Sequence, residues 1–180
     1  AHKLAILARV GFGVNAPWRG IYRQGISAIR AEDIEVARGL GYTVKLLAIA
    51  KRNGKSLGLR VHPTLVPSNH PLASVHGVFN AIYVVGDPVG ETMFYGRGAG
   101  EGPTASAIVS DIVDIAMGRA QVAFAKFLAM EKAGAGLSVR GVEASSFRYY
   151  LRFSVVDRPG VLGRIATILG STVIRGSATR

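Results

Sequence analysis

The sequence predicts an α+β fold: a mixed, largely antiparallel sheet with helices on one face. Three observations carry that prediction. Strand-like segments follow one another through short turns, which favours antiparallel pairing. Between and after them lie segments whose apolar residues recur at 3.6-type spacing. And 49% of the 180 residues are apolar, with mean hydropathy +0.29, enough to collapse into a core.

The elements come in this order. Ala1 to Phe12 is apolar, interrupted by Lys3 and Arg9, and reads as a helix. Gly13 to Gly20 holds Asn15, Pro17 and Gly20 and reads as a loop. Ala28 to Gly41 contains a second helix, with Ala31-Glu32-Asp33 at its start, Ile34, Ala37 and Leu40 on one face, and Gly39 and Gly41 at its end. Thr43 to Ala50 is an apolar strand, and Asn53-Gly54 signals a hairpin. In Leu57 to Val66, Leu57, Leu59 and Val61 alternate with Gly58, Arg60 and His62, giving a strand with one polar face. Pro67 to Pro71 is loop. Val75 to Val85 and Glu91 to Tyr95 are strands joined by a turn at Gly86-Asp87-Pro88. Pro103 to Gly118 is the third helix.

Residues 1–120 therefore form one unit in which the four strands make one sheet. Val44-Lys45-Leu46-Leu47-Ala48-Ile49 and Ala81-Ile82-Tyr83-Val84-Val85 are apolar on both alternations. A sheet with two apolar faces needs cover on both, and three helices are too few for that. A second subunit would supply it, so the unit is expected to build a homodimer or higher homo-oligomer.

Residues 121–146, rich in Ala, Gly and Ser, read as a short helix and a linker. In residues 147–180 the pattern changes. Tyr149, Leu151, Phe153 and Val155 alternate with Arg148, Tyr150, Arg152 and Ser154, which predicts a strand. Asp157-Arg158-Pro159-Gly160 turns it into a helix, Val161 to Leu169. So small a strand–turn–helix cannot bury its apolar face alone.

Charge and composition bound the function. Lys and Arg number 22 against 11 Asp and Glu, a net charge of +11. The basic residues are spread singly, and aromatic residues do not alternate with them in a stacking pattern, so nucleic acid is not the expected partner. An anionic substrate or cofactor explains the charge as well. The chain has no cysteine, which excludes disulfides, thiolate metal sites and a Cys nucleophile and fits a reducing cytoplasm. No apolar run suits a membrane span. The chain begins with Ala1 and not Met, as if inside a longer protein.

The most informative segment is Tyr95-Gly96-Arg97-Gly98-Ala99-Gly100-Glu101-Gly102-Pro103-Thr104-Ala105-Ser106. Glycines let a backbone approach a ligand closely, and the helix start that follows offers unpaired N–H groups and a positive dipole end. That arrangement suits a phosphate, a carboxylate or a nucleotide edge. A plain strand-to-helix turn fits it equally.

With these residues in view, the chain resembles the substrate domain of homoserine dehydrogenases. The resemblance rests on Gly25-Ile26-Ser27-Ala28-Ile29-Arg30-Ala31-Glu32-Asp33-Ile34, on Leu40-Gly41-Tyr42-Thr43-Val44-Lys45-Leu46-Leu47, on Val61-His62-Pro63-Thr64-Leu65-Val66-Pro67 and on the glycine loop. It covers residues 1–118. Phe147 to Leu169 is similar to the opening of an ACT domain, a ferredoxin-type βαβ module, through Asp157-Arg158-Pro159-Gly160-Val161-Leu162. The family's nucleotide-binding domain, with its G-x-G-x-x-G loop, has no counterpart here. Ser171 to Arg180 looks like the end of an ACT domain and not the continuation of its first helix, so a gap is expected between Gly170 and Ser171.

The resemblance implies an NAD(P)-dependent oxidoreductase that interconverts L-homoserine and L-aspartate 4-semialdehyde, with NADP or NAD as cofactor, in the cytoplasm. By spacing, Lys3 is a solvated or snorkelling face residue. By resemblance, Lys3-Leu4-Ala5-Ile6-Leu7 matches the second half of a D-x-x-x-K pattern, and Lys3 is the proton donor and acceptor for the substrate oxygen. Gly100 is implied to approach the nicotinamide end of the cofactor, with Gly98 permitting the turn. Thr104 is expected to cap the helix, and Glu101 to complement its dipole. His62, His70 and His76 lack an acidic partner at ligand spacing, His2 points away from Lys3, and no metal site is expected. The competing reading is a non-catalytic, amino-acid-binding regulatory module of ACT type, with an amino-acid effector at the C-terminal segment.

Overall fold

The computed structural model describes residues 1–134, 136–142 and 147–171. By packing, the chain divides into two units, Ala1–Ser145 and Ser146–Arg180.

The first unit begins with α1 (His2–Phe12), whose Leu4 and Ala8, one turn apart, are both buried. Gly13 ends it in the left-handed conformation, φ 67°, returning its N–H to the Arg9 carbonyl at 3.0 Å. A β-carbon at Gly13 would also run into the Met130 carbonyl. A 3-10 turn (Trp18–Gly20) leads to β1 (Tyr22–Arg23). Next comes α2 (Ala31–Gly39), where Asp33 accepts the Arg30 N–H at 2.9 Å and so satisfies one donor of the helix start.

β2 (Tyr42–Asn53) and β3 (Ser56–Pro67) form a long antiparallel hairpin, registered from Tyr42 opposite Pro67 to Asn53 opposite Ser56. Gly54 makes the turn with φ 57°. The alternation along β3 is realised, with Leu57 and Leu59 buried and Arg60 and His62 on the opposite, half-buried face. Leu57 and Leu59 meet Leu4, Ala8, Val14, Ala16 and Ile21 in the main core. β1 adds to β3 in parallel, as does the short β6 (Ser138–Arg140).

β4 (Phe79–Gly86) and β5 (Gly90–Arg97) form a separate two-stranded antiparallel ladder. This corrects the expectation of one sheet through four strands: among the described residues no ladder joins β4–β5 to β2–β3. The reason lies at residues 75–78, which do not open the strand. Gly77 turns the chain at φ 62°, and the Val75 carbonyl accepts the Lys45 ammonium at 2.5 Å. The class is α+β with antiparallel pairing dominant, as the sequence predicts.

Two helices depart from expectation. α3 (Glu101–Ala116) buries none of its residues and packs chiefly on α4 (Arg119–Gly134), not on a sheet. α4 is a full 16-residue helix where a short one is expected. Its alanines favour helix without marking an apolar face. α4 also packs on α1, where Arg9 pairs with Glu131 at 2.5 Å and lies 4.7 Å over the Phe127 ring. Ala135 and residues 143–146 of the expected linker lie outside the described residues.

In the second unit, Pro159-Gly160 turns into α5 (Val161–Ser171), with Gly160 at φ 86°. Residues 147–158 form no strand, which corrects the strand expected there. Alternation creates a face, but a strand also needs a hydrogen-bonding neighbour. α5 runs on through Gly170 and Ser171, where a gap is expected, and the tail compared with an ACT terminus lies outside the described residues.

Candidate active site

Lys3 stands in the first turn of α1, exposed, on the side away from Leu4 and Ala8. Ile6, Leu7 and Val10 follow it at i+3, i+4 and i+7, and all three are exposed, Ile6 by 62%. Lys3 thus heads an uncovered apolar stripe. A lysine at the end of such a stripe has its amino group open to an incoming group. His2 leaves this face and meets the Trp18 ring edge-on, centroids 4.2 Å apart.

The glycine loop joins β5 to α3. Gly100 is the N-cap of α3, with φ 121° and ψ 157°, a conformation that a side chain resists. The space over it is open apart from Pro103, which a β-carbon would touch at 3.4 Å. Pro103 has no N–H to offer, so the first turn presents the N–H groups of Glu101 and Gly102. Glu101 is the acidic residue of that turn, as expected. Thr104 is not the cap: its hydroxyl and its N–H both donate back to the Gly100 carbonyl, at 2.8 and 3.2 Å.

Gly98 has a different reason to be glycine. Its φ lies outside the left-handed region, but a β-carbon there would overlap the Asn80 side chain, and its N–H donates to the Val78 carbonyl at 3.0 Å. Gly98 therefore seats the loop against β4 by leaving room for Asn80. Asn80 was not among the sequence candidates, although an amide within the apolar run of β4 is the signal that could have marked it.

Lys3 and the loop are carried by different elements. α1 packs on α4, the 3-10 turn and β2, while the loop is held by β4. The histidines are tied locally: His62 receives the Arg60 Nε–H at 3.2 Å, His70 Nδ1 accepts the Leu72 N–H at 3.1 Å, and His76 Nδ1 lies 3.4 Å from the Lys45 ammonium. Among the described residues no three His, Asp or Glu gather in a way that could hold a metal. Burial lowers the pKa of the Arg60 guanidinium from its ordinary value.

Comparison with known proteins places these features in a family. Residues 1–113 match the family model described as homoserine dehydrogenase. The homoserine dehydrogenase of Pseudomonas aeruginosa is 44% identical over 172 residues, which is 94% of this chain and 40% of that protein. That of Bacillus subtilis is 53% identical over 115 residues, covering 64% of this chain and 27% of that protein. The crystal structure of a homoserine dehydrogenase from Thiobacillus denitrificans superposes with a TM-score of 0.72 at 35% identity, covering 96% of this chain and 40% of that one. The chain thus spans about 40% of the length of the curated relatives that match it over most of its own length.

Proposed function

Since this chain belongs to the homoserine dehydrogenase family, we propose that it is the substrate-binding and subunit-contact part of an NAD(P)-dependent oxidoreductase. Its reaction interconverts L-homoserine and L-aspartate 4-semialdehyde, a step of threonine, methionine and isoleucine biosynthesis. The observation that carries this reading is the family match over residues 1–113, which includes both Lys3 and the glycine loop.

The nicotinamide cofactor, NADP or NAD, would supply hydride acceptance and donation. Gly100 fits a flat ring approaching closely, because its backbone is bare and open, and Glu101 and Gly102 N–H groups stand beside it. Gly98 serves that contact by fixing the loop on Asn80. Lys3 carries the proton. In the oxidation, Lys3 Nζ would take up the alcohol O–H proton while the cofactor supplies hydride acceptance. In the reduction, hydride builds charge on the aldehyde oxygen, and Lys3 donates a proton to it. Substituting Lys3→Ala in the full-length gene product should lower kcat about 10²-fold or more, with cofactor affinity unchanged. Near-normal turnover would remove Lys3 from the mechanism.

The ACT-type alternative is not favoured, because the family model matches residues 1–113 and the relatives that align over 94% of the chain are themselves named homoserine dehydrogenases. An amino-acid effector at the C-terminal segment, which the resemblance implies, belongs to the same proposal.

The same reading includes a homodimer built through the first unit. β4–β5 has only two strands, and apolar residues on both its faces are open: Ile82 and Phe94 on one, Val85 and Met93 on the other. A lone two-stranded ladder is marginal in water, and a second copy would cover it. The cytoplasm is the compartment that fits a chain without cysteine. No described helix is long and apolar enough to cross a membrane.

A further inference from the structure

Trp18 gathers cations. The Arg19 guanidinium lies 5.0 Å and the Arg23 guanidinium 5.2 Å from its ring centroid, and the His2 ring meets its edge at 4.2 Å. Arg19, Arg23 and His2 are exposed and Trp18 is half-buried. Neither arginine at Trp18 belongs to the ion pairs seen among the described residues, such as Arg9 with Glu131 and Arg119 with Asp114. α1 begins beside them, and its first turn holds Lys3 and no acidic residue. Two positive charges are thus brought to one ring with nothing negative between them.

Such an arrangement is costly unless it is used. Like charges repel, and stacking on an indole offsets only part of that. A guanidinium carbon held over a ring still has a fork of N–H donors to offer a further partner. That fork matches a tetrahedral oxyanion in bidentate fashion. We propose that Arg19 and Arg23, ordered on Trp18, form a binding site for an oxyanion of the phosphate class, with His2 adding a third donor. The proposal does not depend on the dehydrogenase reading.

Trp18 is the single tryptophan of the chain, so its fluorescence reports the site directly. The chain is titrated at low ionic strength with inorganic phosphate, pyrophosphate and ADP, with sodium chloride at matched ionic strength as the reference. A saturable change in Trp18 emission is expected with the phosphates and not with chloride. Arg19→Gln and Arg23→Gln should each raise the half-saturating concentration about tenfold or more, the scale of a lost charge-assisted bond. Arg→Lys at either position should recover only part, because lysine keeps the charge without the fork. Both side chains are exposed, so these variants remove no core contact. An ADP response at lower concentration than phosphate assigns the site to a nucleotide's phosphates, and a response confined to the inorganic ions assigns it to the free anion. An equal response to chloride, or an undiminished response in the Arg19→Gln/Arg23→Gln double variant, overturns the proposal.

Discussion

The corner where α1 meets the β2–β3 hairpin and the ladder β4–β5 with its following helix α3 are built from similarly apolar sequence, yet they end differently. At the corner Leu4, Ala8, Leu57 and Leu59 are all under 5% exposed. α3 buries no residue, and along β4–β5 Val85 is 71% and Phe94 63% exposed. One region covers itself, since the helix, hairpin and 3-10 turn each bring one apolar face to a shared centre. The other has two apolar faces on a two-stranded ladder, and the described chain closes over them only in part, as where His70 meets Tyr83. Apolar sequence alone therefore marks burial in some assembly, and topology decides whether one subunit achieves it.

Several measurements would break or sharpen that contrast. Leu57→Ala, at the centre of the covered corner, should cost about 2–5 kcal/mol of unfolding free energy. Urea titration checks it, and a loss below 1 kcal/mol would mean the corner is not the core. Phe94→Ser, on the uncovered ladder, should change the subunit's own stability by no more than about 0.5 kcal/mol. It should weaken self-association about tenfold or more, because an isologous contact loses the side chain twice. Sedimentation across a concentration series decides, and an unchanged dimer would place the interface elsewhere. Gly100→Val should raise the KM for NAD(P) several-fold in the full-length gene product, by blocking close approach over the loop. Normal cofactor binding in a folded Gly100→Val protein would leave the loop a plain turn.

The smallest effect concerns acid. The hydrogen bond from Arg9 holds the Glu131 carboxyl below its ordinary pKa and, reciprocally, holds the Arg9 guanidinium above its own. A depressed folded pKa contributes stability above the unfolded value and loses it as pH falls through the folded one. Glu131→Gln should therefore flatten the decline of Tm on the acid side of the ordinary carboxylate range and leave the neutral-pH Tm within a few degrees. An unchanged acid slope would show that the pair does not couple α1 to α4.

Legibility in the sequence followed the range of the forces. The β2–β3 hairpin was readable because Asn53-Gly54 and the Leu57, Leu59, Val61 alternation are local. α1 and α2 were readable from their periodicity and from Asp33 near the start of α2. The partition into two sheets was not, since it depends on the Lys45 ammonium reaching the Val75 carbonyl thirty residues on. Nor was the length of α4, which rests partly on Glu131 meeting Arg9 across 122 positions. At the site, Lys3 and Gly100 came from motif resemblance. The true cap at Gly100, in place of Thr104, and the role of Gly98 as a seat for Asn80 emerged only from backbone geometry and a contact between strands.

That seat ties together two things described separately. Gly98 hangs the loop from β4 through the Val78 carbonyl and Asn80, and β4 belongs to the ladder proposed to meet a second subunit. The proposed cofactor seat and the proposed subunit contact would then move as one lever. An enzyme so arranged would read its own abundance: on dilution, released ladders would loosen the loop, and turnover per subunit would fall with concentration before any protein unfolds.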